Sequence, residues 1–278
     1  MRLETLGVKM ASNASVLATE NTDKFYSVIK SMHAFDTLEV KGVIDTLISP
    51  TGDETCFIGT YYRSRPNVET LLRLNSVRDF QAIAMLARAL FELSVDSRLL
   101  ENTPLAWVKV LEYANVERLR VANKTIEFKK KNPDANIDTS IYDSFVAQNG
   151  ERIAHVKKCL WPNTEKLPHW SGLTLRRRVE QLKSPFDHVY ATDYARLSWY
   201  VHAGLTGVMN VPAENFIHMC AYAYHIASIA YAETLLSVVR AFKISKGNEK
   251  IEEKLSVAKR LPFTEGPQQA EILMRSIR

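Results

Sequence analysis

The sequence contains few residues that break helices, with 10 glycines and 10 prolines among 278 residues. Glycine and proline are the residues least favourable inside a helix, so their scarcity favours long helices. Hydrophobic residues make up 46% of the chain and charged residues 24%, values typical of a globular protein, which exclude a largely disordered one. The length is sufficient for one sizeable core. We therefore expect a globular and mostly helical protein.

Cysteine is also scarce. Cys56, Cys159 and Cys220 are far apart and odd in number, and they match neither a disulfide framework nor the spacing of a zinc site. This usage favours a reducing cytoplasmic location. The first 21 residues have no continuous apolar segment of the kind that a secretory signal peptide requires, so we interpret them as a loosely ordered leader.

The motifs of the common nucleotide-binding and hydrolytic enzymes are absent from the sequence. It contains no glycine-rich phosphate-binding loop, no His-Glu-x-x-His motif and no nucleophile elbow. His218 and His225 lie seven residues apart on an apolar segment, too far from each other to share a metal ion without a third element, and we interpret them as core residues. The sequence therefore predicts neither a metal site nor a cofactor.

One segment without charged residues is nearly long enough to span a membrane. Residues 215–232, NFIHMCAYAYHIASIAYA, carry no formal charge when the histidines are neutral. The segment nevertheless contains two histidines, a serine and several amide or phenol groups, and Glu233 follows at once. Such polar groups are costly inside a bilayer. We therefore predict a central buried helix and no association with a membrane.

Apolar residues recur at every third or fourth position along most of the chain, which predicts helices. The predicted helices cover residues 22–38, 67–74, 76–100, 103–131, 140–160, 172–183, 184–204 and 211–244. Residues 43–62 are less regular, because two runs rich in strand-favouring residues flank a turn at Pro50. The segment is compatible with two alternatives, a short β-hairpin or a helix followed by an irregular connection. We also expect residues 63–66, Arg-Ser-Arg-Pro, to interrupt the pattern.

These elements predict an all-α fold, a single bundle of six to eight helices. We expect residues 67–278 to form this helical bundle domain. Residues 1–66 are expected to form an N-terminal helix and an irregular region that pack on the bundle.

Four polar side chains recur at every fourth position of the helix predicted to begin near Ser184: Tyr190, Tyr194, Ser198 and His202. At 3.6 residues per turn this spacing drifts by about 40° per step, so the side chains form one slowly winding stripe. Two phenols, a hydroxyl and an imidazole are too polar for an ordinary core and too apolar for an ordinary solvated face. We therefore expect any chemistry of this protein to involve the stripe.

Arg88 and Glu92 are four residues apart on another predicted helix, so they can form an ion pair on one helix face. Apolar neighbours suggest that the pair is partly buried, and His202, Tyr190 or Tyr194 could supply further partners. Both a catalytic site and a buried polar network that fixes helix packing agree with this pattern.

Arg196 and His202 are the residue types that metal-free RNA cleavage requires. An imidazole can move a proton near neutral pH, and a guanidinium can hold a phosphate and its developing charge. Six positions of an ideal helix rotate by about 600°, which leaves the two side chains roughly 120° apart. Their convergence requires a break in the helix or a second subunit, so a homodimer is one predicted assembly. The alternative is that His202 is a core histidine.

The chain carries a net charge of +5, which permits an anionic partner. Arg176, Arg177 and Arg178 could bind RNA phosphates, and Trp170 could stack on a base. A solvated basic face and a packed tryptophan are the alternative interpretations.

The order of these motifs resembles that of a known family. Arg88-x-x-x-Glu92 is followed by the segment WSGLTLRRRVEQL and then by the four-residue repeat from Tyr190 to His202. This order resembles an uncharacterised bacterial family, the domain of unknown function numbered five-six-seven-seven, over roughly residues 70–210. The resemblance implies an all-helical fold but no activity. It marks as the site Arg88, Glu92, Tyr190, Tyr194, Ser198 and His202.

The spacing of Arg196 and His202 also resembles that of HEPN domains, which are helical and usually dimeric RNases. This resemblance implies a metal-independent endoribonuclease or a toxin-type module that acts on RNA. His202 would then move a proton of the attacking 2′-hydroxyl or of the leaving oxygen, and Arg196 or Arg88 would steady the phosphate. The alternative is a non-enzymatic helical module that binds a protein or a small ligand.

Overall fold

The computed structural model describes residues 13–74, 76–201, 215–244, 249 and 251–253, and every regular element in these ranges is helical. The helices are α1 (Asn13–Phe35), α2 (Lys41–Asp45), α3 (Gly52–Arg73), α4 (Phe80–Asn102), α5 (Ala106–Lys131), α6 (Ser140–Leu160), α7 (Leu175–Leu182), α8 (Phe186–Val189), α9 (Ala195–Val201) and α10 (Asn215–Ala241). Two π-helical turns, Asp36–Val40 and Tyr190–Tyr194, join α1 to α2 and α8 to α9. The predicted all-α fold is confirmed.

Residues 43–45 and 52–62 lie in helices α2 and α3, and residues 46–51 form an irregular connection, so the predicted β-hairpin is wrong. α3 begins after Thr51, whose hydroxyl accepts a hydrogen bond from the backbone N–H of Glu54, while the Glu54 carboxylate accepts one from the N–H of Thr51 at 2.7 Å. This reciprocal capping box stabilises the helix start. α3 then buries residues at helical spacing, namely Phe57, Tyr61, Ser64, Val68 and Leu71. Burial of this helical face outweighs the local strand propensity.

α3 also continues through Pro66, so the interruption expected at residues 63–66 does not occur. A proline inside a helix removes one backbone hydrogen bond. Tyr61, Val68 and Leu71 lie on both sides of Pro66 and are fully buried. Their burial offsets the lost bond and joins the predicted helix 67–74 to the segment before it.

By the contacts between its residues the chain divides into two compact units. Of the described residues, those up to 102 and those from 178 onward form the first unit, and those from 103 to 177 form the second. In the first unit α10 packs against α1, α3 and α4, and every residue from Met219 to Val239 is buried. The predicted central buried helix is therefore confirmed. Within the described ranges, no helix is long and apolar enough to cross a membrane.

The second unit is built on a hairpin of α5 and α6, which pack against each other. Its buried hydrophobic residues are Ala106, Ala122, Ile153, Trp161 and Trp170. Nε1 of Trp161 donates a hydrogen bond to the carbonyl oxygen of Trp170 at 2.9 Å. Gly172, with φ of +78°, packs against this pair, since a Cβ there would lie 3.1 Å from Cδ1 of Trp161. Both the positive φ and the close approach require glycine.

We expect thiol reagents to modify the folded protein first at Cys159, which is exposed on α6. Burial raises the pKa of the half-buried Cys56 to about 11 and that of the buried Cys220 to about 12. Because the thiolate is the reactive form, both should react much more slowly. Timed alkylation followed by peptide mass spectrometry measures the order, and denaturant should abolish it. Early modification of Cys220 without denaturant would contradict the buried position of α10.

Candidate functional site

α4 and the second π turn bring three of the predicted site residues into contact. Nε of Arg88 donates hydrogen bonds to Oε1 of Glu92 at 3.1 Å and to the hydroxyl of Tyr194 at 2.8 Å. The same hydroxyl donates to Oε1 of Glu92 at 2.7 Å. The guanidinium also lies over the Tyr194 ring, with Cζ 5.0 Å from the ring centroid, a cation–π geometry. We refer to Arg88, Glu92 and Tyr194 as the Arg88 triad.

Aromatic residues hold Tyr194 in this position. Its ring centroid lies 5.3 Å from that of Phe91 on α4, and Tyr190 stacks on it at 5.3 Å with an interplanar angle of 24°. Tyr190 and Tyr194 are the first and last residues of the π turn. Turns of this kind inside α-helices frequently occur at functional sites. The contacts on the ring therefore orient the Tyr194 hydroxyl toward α4.

The Arg88 triad is partly open to solvent. Tyr194 is only 6% exposed, whereas the side chains of Arg88 and Glu92 are 22% and 41% exposed. Burial, together with the hydrogen bond to Glu92, raises the pKa of Tyr194, so its hydroxyl stays protonated at neutral pH. Nη1 of Arg88 is buried, yet no residue in the described ranges accepts a hydrogen bond from it. The triad thus combines a protonated phenol, a partly exposed carboxylate and an unpaired cationic donor.

The remaining members of the predicted stripe contact other groups. The Ser198 hydroxyl donates a hydrogen bond to the backbone carbonyl oxygen of Tyr194 at 3.0 Å, four residues earlier in the chain. Arg196 contacts α10, with Cζ 5.1 Å from the ring centroid of Tyr222. Two residues correspond to about 200° of helix rotation, so Arg196 and Tyr194 use different faces. His202 lies outside the described residues, and its convergence with an arginine stays a prediction.

The residues expected to contact RNA have contrasting placements. Arg176 and Arg177 are exposed on α7. Arg178 is only 7% exposed, and its Nη1 donates to a carboxylate oxygen of Asp96 on α4 at 2.6 Å. Trp170 is buried in the second unit. These positions favour structural roles for Arg178 and Trp170, and they leave Arg176 and Arg177 as the accessible arginines of the predicted set.

A second polar cluster, which was not expected from the sequence, surrounds Asp36 in the first π turn. The fully buried Asp36 carboxylate accepts hydrogen bonds from the hydroxyls of Tyr61 and Tyr231 at 2.6 and 3.0 Å and from Nη1 of Arg65 at 3.1 Å. Burial raises the pKa of Asp36, and these three partners oppose that rise. We refer to Asp36, Tyr61, Arg65 and Tyr231 as the Asp36 network.

Each of the three guanidinium nitrogens of Arg65 donates a hydrogen bond. Besides the bond to Asp36, its Nε donates to Oε1 of Glu69 at 3.1 Å and its Nη2 donates to the hydroxyl of Thr37 at 3.1 Å. Tyr61, Arg65 and Glu69 recur at every fourth residue, a signal that the sequence does contain. The expected break at residues 63–66 concealed it, because residues on two separate helices would not share a face.

The second π turn also contributes a buried aspartate. Oδ2 of Asp193 lies 3.7 Å from Nδ1 of His225 on α10, and the two side chains are 6% and 2% exposed. The ring of Phe25 lies 4.9 Å from the imidazole, so the interpretation of His225 as a core residue is confirmed. In the described part of the chain, no three His, Cys, Asp or Glu side chains are grouped as metal ligands.

In a comparison with protein families, residues 57–216 match the family model described as "Family of unknown function (DUF5677)". The match covers more than half of the chain and includes the Arg88 triad, His202 and Arg176–Arg178. No curated protein and no solved structure matches the chain.

Proposed function

We propose that this chain, which belongs to the family of unknown function DUF5677, is a HEPN-like endoribonuclease that works without a metal ion. The observation that carries the proposal is the buried Nη1 of Arg88, for which no described residue is an acceptor. A buried donor without an acceptor costs free energy, and the cost is greater for a charged group. A phosphate oxygen supplies both the acceptor and the negative charge that a guanidinium nitrogen requires.

The Asp36 network supports this proposal by contrast. Arg65 and Arg88 each pair with a glutamate four residues later and with a tyrosine hydroxyl. All three nitrogens of Arg65 have partners, as expected of a structural arginine. Within the described residues, Arg88 donates through Nε alone. The difference favours Arg88 as the arginine with capacity left for a substrate.

In the proposed reaction Arg88 holds the scissile phosphate, while Glu92 and Tyr194 fix the orientation of its guanidinium. His202 takes the proton of the attacking 2′-hydroxyl or protonates the leaving 5′-oxygen. The 2′-oxygen bonds to phosphorus as the bond from phosphorus to the 5′-oxygen breaks. The products are a 2′,3′-cyclic phosphate and a 5′-hydroxyl, so no water is consumed. We propose Arg176 and Arg177 separately, as contacts between the second unit and RNA phosphates.

Arg196 is the alternative phosphate ligand. Its guanidinium lies on the Tyr222 ring, and it makes no hydrogen bond to the described residues. In a regular helix the side chains of Arg196 and His202 would lie roughly 120° apart, so they would not converge on one phosphate. A second subunit or a break in the helix would remove that obstacle.

A non-enzymatic module is the second candidate function. The hydrogen bonds that the members of the Arg88 triad make with one another favour it. Tyr194 both accepts from Arg88 and donates to Glu92, and Ser198 bonds to its own backbone. Such a network can hold α4 against the helix of Tyr194 without any chemistry. In this case the chain would bind a protein or a small ligand through another surface.

We expect the purified protein to cleave a mixed RNA panel in EDTA, and His202→Ala and Arg88→Lys each to reduce the rate at least about 100-fold. Lysine keeps the positive charge but lacks the planar fork that holds a phosphate. Arg98→Lys is a matched control on α4, because Arg98 is also half-buried and pairs with Glu101 and Glu233. It should cleave RNA at the rate of the unsubstituted protein.

The alternatives give different results in the same assay. Loss of cleavage in Arg196→Ala but not in Arg88→Lys would assign the phosphate to Arg196. Absence of cleavage by the unsubstituted protein, with lower thermal stability in Arg88→Lys and His202→Ala, would reject the RNase and support the non-enzymatic module. Circular dichroism confirms that each variant is folded.

A further inference from the structure

The positive charge of the chain is unevenly distributed between its two compact units. Residues 103–177 contain 13 lysines and arginines against 8 aspartates and glutamates, an excess of 5. This excess equals the net charge of +5 of the whole chain, so the remaining residues contain equal numbers of cationic and acidic side chains. The electrostatic field that attracts an anionic partner therefore originates from the second unit.

Most of this charge lies at one end of the second unit. The pair of Arg152 with Glu112, at 3.2 Å, places the last turns of α6 beside the first turns of α5. The Tyr113 hydroxyl donates a hydrogen bond to the carbonyl oxygen of Pro168 at 3.3 Å, which holds the segment after α6 against the same end. Three segments therefore meet there. We refer to them together as the basic end, which comprises residues 106–113 and 151–177.

The basic end has an excess of four positive charges, because seven of its residues are cationic and three are acidic. Arg152 pairs with Glu112. The other cationic residues are Lys109, Lys157, Lys158, Lys166, Arg176 and Arg177, and the other acidic residues are Glu151 and Glu165. The rest of the second unit has six cationic and five acidic residues, an excess of one. The charge is therefore concentrated at the basic end, where four of the cationic residues are exposed, namely Lys158, Lys166, Arg176 and Arg177.

Aromatic rings with accessible surface lie among these cations. Trp107 is 37% exposed at the start of α5, two residues before Lys109. Tyr113 and His169 are both partly exposed, and their ring centroids lie 6.2 Å apart. Surfaces that bind single-stranded nucleic acids combine cations that contact phosphates with rings on which bases stack. The basic end has both kinds of group.

We propose that the basic end binds single-stranded nucleic acid, with its exposed lysines and arginines on the phosphates and Trp107 stacked on a base. The rings distinguish this partner from an acidic protein segment, which requires cations alone. Arg176 and Arg177 belong to this surface, and Lys158, Lys166 and Trp107 extend it beyond the two arginines already assigned to RNA. Binding at the basic end involves no chemical step, so it does not depend on the proposed cleavage.

Fluorescence anisotropy of the full chain with labelled single strands of about 16 nucleotides measures this binding. The probes are DNA and 2′-O-methyl RNA, which lack the attacking 2′-hydroxyl, so neither can be cleaved and binding is measured apart from catalysis. We expect both to bind with micromolar dissociation constants at low salt. A duplex of the same sequence should bind at least about fivefold more weakly, because its paired bases are not available for stacking.

The variants separate local contacts from net charge. The double variant Lys158→Gln, Lys166→Gln should raise the dissociation constant at least about tenfold and lower the salt slope by about 1.4, since each contact with a single strand contributes about 0.7. Lys124→Gln, Lys130→Gln is the matched control, because both lysines are exposed in the second half of α5 and the charge removed is the same. It should bind within about twofold of the unsubstituted chain.

Two substitutions of Trp107 test the stacking. Trp107→Leu should weaken binding at least about fivefold, whereas Trp107→Tyr keeps a ring and should retain most of the affinity. Equal losses with leucine and tyrosine would contradict the stacking, and equal losses in the two lysine double variants would show an attraction to net charge alone. Absence of binding at low salt, or binding of polyglutamate as tightly as the single strand, would overturn the proposal. Binding without cleavage would reject the RNase and leave the basic end as a nucleic-acid-binding surface.

Discussion

Replacing Arg65 by alanine should lower the free energy of unfolding by about 3–5 kcal/mol, because it leaves the Asp36 carboxylate buried without its cation. The Asp36 side chain is fully buried, and that of Arg65 is only 12% exposed, so solvent screens the pair little. Urea unfolding monitored by circular dichroism measures the loss. Arg152→Ala is the control, because Arg152 is 50% exposed, and its pair with Glu112 should contribute at most about 1 kcal/mol.

The loss in Arg65→Ala should depend on pH. Burial raises the pKa of Asp36 above its ordinary value of 3.8, so the folded state keeps the proton at pH values where the unfolded chain has released it. The resulting stabilisation is complete below pH 3.8 and is lost as the pH rises through the pKa of the folded state. Removing Arg65 raises that pKa further. The cost of Arg65→Ala should therefore be largest at neutral pH and smaller near pH 4.

A double-mutant cycle separates the ion pair from the other contacts of Arg65. In an Asp36→Asn background the buried charge is absent, so Arg65→Ala should cost much less than it does in the unsubstituted protein. Equal costs in both backgrounds would show that Arg65 stabilises the fold through Glu69 and Thr37 and not through Asp36.

Enlarging one alanine at the centre of α10 should be the second large effect. Ala230 is fully buried on a helix that packs against α1, α3 and α4. Ala230→Leu adds three carbons to a close-packed site, and we expect a loss of about 3 kcal/mol, at the upper end of the usual cost of overpacking. Thermal unfolding measures the loss as a lower Tm.

Ala154→Leu on α6 is the matched control for Ala230→Leu. Ala154 is exposed, so the same substitution should change stability by no more than about 0.5 kcal/mol. A tolerated leucine at position 230 would mean that α10 is less tightly surrounded than its complete burial indicates.

The sequence spacing predicts one contact of the Arg88 triad but not the others. Arg88 and Glu92 are neighbours in any helix because they are four residues apart, so their pair follows from periodicity alone. Tyr194 lies more than 100 residues later, and the sequence offered it only as one of three possible partners, beside Tyr190 and His202, until the motif order that resembles the family placed all of them in one candidate site. The π turn and the stacking of Tyr190 and Phe91 then direct its hydroxyl to the pair.

The Asp36 network shows the opposite case. Its members lie on the first π turn, α3 and α10, and no local pattern connects Asp36 with Tyr231. The sequence predicted the apolar character of α10. It did not predict the hydrogen bond that the Tyr231 hydroxyl donates to the buried Asp36 carboxylate. The strand-favouring composition of residues 43–62 led to the wrong prediction of a β-hairpin. A capping box at Thr51 and burial along α3 outweigh that local propensity.

The sequence by itself determined the helical class of this protein, its family, the buried character of α10 and the pairing of Arg88 with Glu92. All of these follow from composition, from motif order or from residues within two turns of one another. Only the tertiary structure decided that every nitrogen of Arg65 has a partner while Arg88 keeps a buried nitrogen without one among the described residues, and that Trp107, Leu111 and Phe128 of α5 are exposed. These properties depend on which distant helices pack together, because a hydrogen bond or a buried face requires a partner that the local sequence does not specify.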